Sequence, residues 1–99
     1  MNNQNGIANE ILNQLGGNKF IAMTGAIICV TNDNSLALKF KGCNKANYMR
    51  ITLNSMDTYT MEFAKISRTN VFWHSKKDFI YNDMLQTIFT SVTGLDTKL

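Results

Sequence analysis

The chain has no proline, one histidine and two cysteines among its 99 residues. With no proline, no internal repeat and no low-complexity tract, nothing marks a linker or a boundary. The reading is a single domain over 1–99, large enough for one core, with the polar stretch Met1–Gly6 expected to be flexible. Cys29 and Cys43 form no Cys-x-x-Cys pair, and one histidine cannot complete a familiar zinc set. No metal or cofactor is therefore expected, and a reduced, cytoplasmic setting is the simplest one. Cys29 reads as a small core residue and Cys43 as a loop thiol. The longest apolar run, Ala26–Val30, is far short of a membrane span, so no membrane partner is expected. The opening MNNQNGIANE lacks a positive region followed by an apolar run, so no secretory signal is read there. Charge is also scarce: ten Lys and Arg against seven Asp and Glu give +3. That balance permits contact with nucleic acid or an acidic protein surface, but a dedicated non-specific DNA binder carries more.

What the chain does have is alternation. In Met49–Phe63, Met49, Ile51 and Leu53 alternate with Arg50, Thr52 and Asn54; Tyr59, Met61 and Phe63 then alternate with Thr60 and Glu62. Period two in both halves predicts two half-buried strands. Antiparallel pairing across Asn54–Thr58 sets Leu53 against Tyr59, Ile51 against Met61 and Met49 against Phe63. On the opposite face Thr52 meets Thr60 and Arg50 meets Glu62. A slip of one residue would set apolar against polar throughout, so the register is well specified.

Around this hairpin, Ile7, Ile11, Leu12 and Leu15 predict a short amphipathic helix over Ile7–Leu15, ended by Gly16-Gly17. Phe20–Gly25 leads through a bend at Gly25 to a strand over Ala26–Thr31, then to a turn at Thr31–Ser35. Leu36, Leu38 and Phe40 form the next strand, with Val30 set against Leu36 and Ile28 against Leu38. A fifth strand, Val71–His74, is expected to send Trp73 into the core opposite Phe63, leaving Phe72 and His74 outward. Tyr81, Met84, Leu85, Ile88, Phe89 and Val92 make an apolar helical stripe, capped by Ser75 or Asp78 and stopped by Gly94. The fold class is α+β: an antiparallel β-meander of about five strands, with the N-terminal and C-terminal helices packed on one face.

No constellation for catalysis emerges. His74 and Ser75 are strand neighbours, expected to point to opposite faces, so they are not read as a nucleophile–base pair. Glu62 is explained as the partner of Arg50, and Asp57 as a turn residue. Gly16-Gly17-Asn18-Lys19 follows a helix and leads into a strand, the reverse of a Walker loop, and so reads as helix termination. The expectation is a non-enzymatic protein. Its remaining feature is the sheet face away from the helices, where Lys39, Lys41, Arg50, Phe72 and His74 are expected, with Arg68, Lys76 and Lys77 at nearby turns. Positive charge with an exposed aromatic is what a sheet-based single-strand binder uses.

The segments LGGNKFIAMTGA (Leu15–Ala26), NYMRITLNSMDTYTMEFAKI (Asn47–Ile66) and YNDMLQTIFTSVTGL (Tyr81–Leu95) resemble a family of small uncharacterised proteins of bacteriophages, plasmids and other mobile elements. The family has no assigned activity and no catalytic residues. The resemblance implies an accessory protein inside a bacterial host, acting by binding. Two readings follow: a binder of single-stranded nucleic acid, or a protein-interaction module that inhibits or redirects a host complex, in the manner of anti-defence or anti-CRISPR proteins. Edge strands at Val71–His74 or Ala26–Val30 are also able to pair between subunits, so a homodimer stays open.

Overall fold

The computed structural model describes residues 6–31 and 34–95. The flexibility expected of Met1–Gly6 concerns residues that, except for Gly6, lie outside the described ones, as does part of the expected Thr31–Ser35 turn. Helix α1 (Gly6–Leu15) buries Ala8, Ile11 and Leu15, the stripe its spacing dictates. It ends as the glycine pair predicts: Gly17, at φ +62°, donates its N–H to the Leu12 carbonyl at 2.9 Å.

The glycines lead into a second helix, α2 (Asn18–Thr24), where a direct passage to a strand was expected. Gly25, at φ +66°, closes it by donating to the Ile21 carbonyl. Seven residues are too few for periodicity to separate helix from strand. Tertiary packing stabilises the helix instead, which buries Phe20 edge-on against Phe89 with ring centroids 5.1 Å apart.

Five antiparallel strands follow in the order β1 (Ile27–Thr31), β2 (Ser35–Lys39), β3 (Tyr48–Leu53), β4 (Tyr59–Ser67) and β5 (Asn70–Ile80), each paired with its sequence neighbour. The β3–β4 register is the one the alternation specifies: Leu53↔Tyr59, Ile51↔Met61, Met49↔Phe63, with Thr52↔Thr60 and Arg50↔Glu62 on the other face. Asp57 sits in the connecting turn at φ +60°. Ile28 faces Leu38 as expected, but Val30 pairs with Ala37 rather than Leu36. The extra residue is Cys29: the β1–β2 register shifts between Ile28 and Val30, and the cysteine expected in the core is exposed at the sheet edge. Cys43 is half-buried in the β2–β3 connection.

Strand β5 departs furthest from expectation. It runs through Ile80, so Ser75 and Asp78 are strand residues rather than helix caps, and Asp78 Oδ1 accepts the Thr60 hydroxyl at 3.0 Å. Helix α3 (Leu85–Thr93) starts after a 3-10 turn at Asn82–Met84, leaving Tyr81 and Met84 of the apolar stripe exposed. Gly94 ends α3 at φ +76° with its N–H on the Thr90 carbonyl.

The core lies between the sheet and the helices. Leu36, Leu38, Met49, Ile51, Met61 and Phe63 meet Ala8, Ile11 and Leu15 of α1, Phe20 of α2, and Leu85 and Phe89 of α3. Phe89 is its centre, touching Phe20, Phe40 and Phe63 with centroids 5.1, 5.1 and 6.4 Å away. Gln86 Nε2 donates to the Leu15 carbonyl at 2.8 Å, tying α3 to the end of α1. All helices cover one face, so the other is left to solvent.

Candidate nucleic-acid interface

The register fixes what stands on the uncovered face. Because Met49 and Phe63 point into the core, their neighbours Tyr48 and Ala64 point away from it, and so does Trp73, which pairs with Ala64. Lys39 pairs with Tyr48, which completes a row Lys39–Tyr48–Ala64–Trp73 across β2 to β5. Two residues along, Ala37, Arg50, Glu62 and Lys76 form a second row. Each row spans three strand spacings, roughly 14 Å.

Trp73 was expected in the core opposite Phe63; Ser75 takes that place. The register shifts between Phe63 and Ala64, with His74 as the extra residue of a β-bulge, and every residue before it changes face. Trp73 is therefore 54% exposed on the uncovered face, and Phe72, paired with Lys65, turns to the other side, 59% exposed beyond the helical roof. The expected placement of Phe72 and His74 on the open face is corrected accordingly.

Trp73 does not stand alone. Its ring meets Tyr48 edge-on with centroids 6.2 Å apart, and the two close over Ala64, which is fully buried despite facing outward. The Arg50 guanidinium carbon lies 5.4 Å from the Trp73 ring centroid, a cation–π distance. Arg50 is held there by Glu62, whose Oε1 accepts from both Nε and Nη2 at 3.0 Å. The result is a half-exposed aromatic and guanidinium surface whose side chains are already ordered. Three cations, Lys39, Arg50 and Lys76, stand against the one carboxylate, Glu62, in these two rows. Farther along the face the character changes: Asn54 donates to the Thr60 hydroxyl, which donates to Asp78.

The other expected site residues scatter. The Lys41 side chain lies against Gly25 at the junction of α2 and β1, not in the tryptophan row. Arg68 occupies the tip of the β4–β5 hairpin at φ +56°. Lys77 pairs with Met61 and so leans to the core side of the sheet edge, exposed. His74 Nδ1 lies 3.1 Å from Ser75 Oγ, a contact that unbulged strand neighbours do not make. This pair sits on an open strand edge, and no acid is seen to orient the imidazole among the described residues. Sequence reasoning missed Tyr48 and Trp73. Tyr48 was legible, since it shares parity with Arg50 and Thr52; Trp73 was not, because its face depends on the bulge.

Comparison with known proteins adds no assignment. No family model, curated protein or solved structure matches this chain. Among the described residues no three His, Cys, Asp or Glu side chains group to hold a metal ion, and no helix is long and apolar enough to cross a membrane.

Proposed function

We propose that this chain is a non-enzymatic binder of single-stranded nucleic acid, an accessory protein of a bacteriophage or other mobile element, acting through the uncovered face of β2–β5. The observation that carries the reading is Trp73, half-exposed on a solvent face and held between Tyr48 and the Arg50 guanidinium. A base stacks on a fixed indole with little loss of side-chain entropy, and each base–aromatic stack contributes about 1–3 kcal/mol. Lys39 at one end of the row and Lys76 in the next are placed to neutralise phosphates on either side. Nothing in this face reads base edges through a groove, so the reading is of single strands with little sequence preference.

Trp73 is the only tryptophan, so its fluorescence reports the site directly. Titration with an oligothymidylate is expected to quench it saturably, and Trp73→Ala, read by the fluorescence anisotropy of a labelled oligothymidylate, is expected to weaken binding roughly tenfold or more while leaving the fold intact. Unchanged fluorescence and no detectable binding at low salt would reject the proposal. Capture of a host protein that survives nuclease treatment would then favour the protein-interaction reading.

A further inference from the structure

Beyond the open face, the hairpin of β4 and β5 projects past the start of β3, its Ile66 peptide held by the Asn47 side chain through bonds of 2.7 and 3.0 Å. The outer edge of β5 ends the sheet, so among the described residues its backbone has no strand neighbour there. Natural edge strands are guarded by charge, bulges and kinks. The C-terminal half of β5 has all three: the bulge at His74, Lys76 and Lys77, and Phe79 at φ +59° beside a second register shift. The N-terminal half has none. Asn70–Trp73 pairs regularly with Ser67–Ala64, yet carries Val71, Phe72 and Trp73 at 48, 59 and 54% exposure.

We propose that a second copy of this chain pairs with this edge, antiparallel about a two-fold axis at Phe72, giving a homodimer with one sheet continuous across both copies. The register follows from side-chain chemistry. Centred on Phe72, the segment Val71–Trp73 sets Val71 against the partner's Trp73 on one face, twice by symmetry. On the other face it sets Phe72 against its own copy. Aromatic with β-branched and aromatic with aromatic are favourable cross-strand pairs, and no two like charges stand opposite within the segment. Shifting the axis toward the C-terminus carries Lys76 and Lys77 into the pairing, where the bulge and the charges oppose it. The other edge is a poorer candidate, since the register shift at Cys29 interrupts β1 after Ile28.

The exposed parts of the three side chains amount to roughly 250 Å² per copy, and with the backbone edge the interface stays below the 1,200–2,000 Å² of a stable complex. The dimer is therefore weak and dissociates on dilution. Arg68 of one copy approaches Lys76 of the other just outside the paired segment, so salt screens a repulsion and strengthens association. Nucleic-acid binding has the opposite salt dependence, which keeps the two proposals separable.

Sedimentation equilibrium over a range of concentrations is expected to give a monomer–dimer equilibrium that shifts toward dimer with added salt and reverts to monomer in Phe72→Lys. Register is read by cross-linking in a Cys29→Ser, Cys43→Ser background, with diamide as the oxidant that accepts the two hydrogens of the thiols. Phe72→Cys should form a disulfide dimer, because residue 72 meets its own copy across the axis within disulfide range. Asn70→Cys should not, since the two copies of residue 70 lie four residues apart along the strands, about 13 Å. Each variant's far-ultraviolet circular dichroism verifies folding. A monomer at every concentration and salt, equal cross-linking at 70 and 72, or a wild-type dimer linked through Cys29 overturns the proposal.

Discussion

Replacing Phe89 by alanine should cost this protein a large part of its stability. Phe89 is fully buried and is the one ring shared by Phe20 of α2, Phe40 after β2 and Phe63 of β4. Removing a buried phenylalanine costs about 3–5 kcal/mol in transfer and cavity terms. Three aromatic contacts are lost together, and the three segments that carry those rings are fixed in the sheet and α2 and cannot collapse into the void, so about 4 kcal/mol or more is expected. A domain of this length has roughly 5–15 kcal/mol in total. At about 4–8 °C per kcal/mol, the melting temperature should fall by roughly 15–30 °C. Urea unfolding followed by circular dichroism reads this as a lower midpoint with an unchanged slope. Met56→Ala, in the exposed β3–β4 turn, is the control and should stay within about 0.5 kcal/mol. A loss below about 1 kcal/mol for Phe89→Ala would refute the placement of this ring at the junction of helices and sheet.

Other substitutions separate structural from binding roles. Glu62→Gln should cost less than about 1 kcal/mol, because Arg50 and Glu62 are both partly exposed, while oligonucleotide affinity rises several-fold as the competing carboxylate goes; reduced affinity would mean that the carboxylate's main role is to hold Arg50 in place. Asn47→Ala removes both side-chain bonds to the Ile66 peptide and should destabilise by about 1–3 kcal/mol, with faster amide exchange in the β4–β5 hairpin; unchanged exchange would show that the hairpin does not need this brace. Burial pushes the Tyr59 phenol above its ordinary 10.0, with Glu10 and Asp57 adding to it and a hydrogen bond from Gln14 opposing. The folded state thus holds the phenolic proton more tightly than the unfolded chain. Its contribution is whole below pH 10 and is lost as pH rises through the raised value. Tyr59→Phe should flatten that alkaline decline in the urea midpoint, and identical declines in the two proteins would contradict the assignment.

How far the sequence carries depends on contrast between adjacent residues. In Met49–Phe63 every apolar residue has polar neighbours, so one register satisfies the whole hairpin, and the structure adopts it pair for pair. Arg50 and Glu62 were legible as partners for the same reason. Val71-Phe72-Trp73 has no such contrast: each residue is apolar, and either face accepts it. Its parity is set by an unpaired residue at His74, which only the partner strand reveals. That single shift carried Trp73 out of the core and Phe72 off the open face. The stripe Tyr81–Val92 was sound from Leu85 onward, but its first turn was claimed by the longer β5 and the 3-10 turn. Composition set the mild cationic balance of the face; its aromatic centre depends on the bulge at His74.

The most direct test of the open-face account is the salt dependence of oligonucleotide binding followed through Trp73. With Lys39, Lys76 and Arg50 on the phosphates, log K should fall against log salt with a slope of roughly −2, at about −0.7 per contact for single strands. The double variant Lys39→Ala, Lys76→Ala should bring the slope to roughly −0.7. A slope near zero in the wild-type protein, or one the double variant leaves unchanged, would contradict the assignment of this face as a nucleic-acid surface.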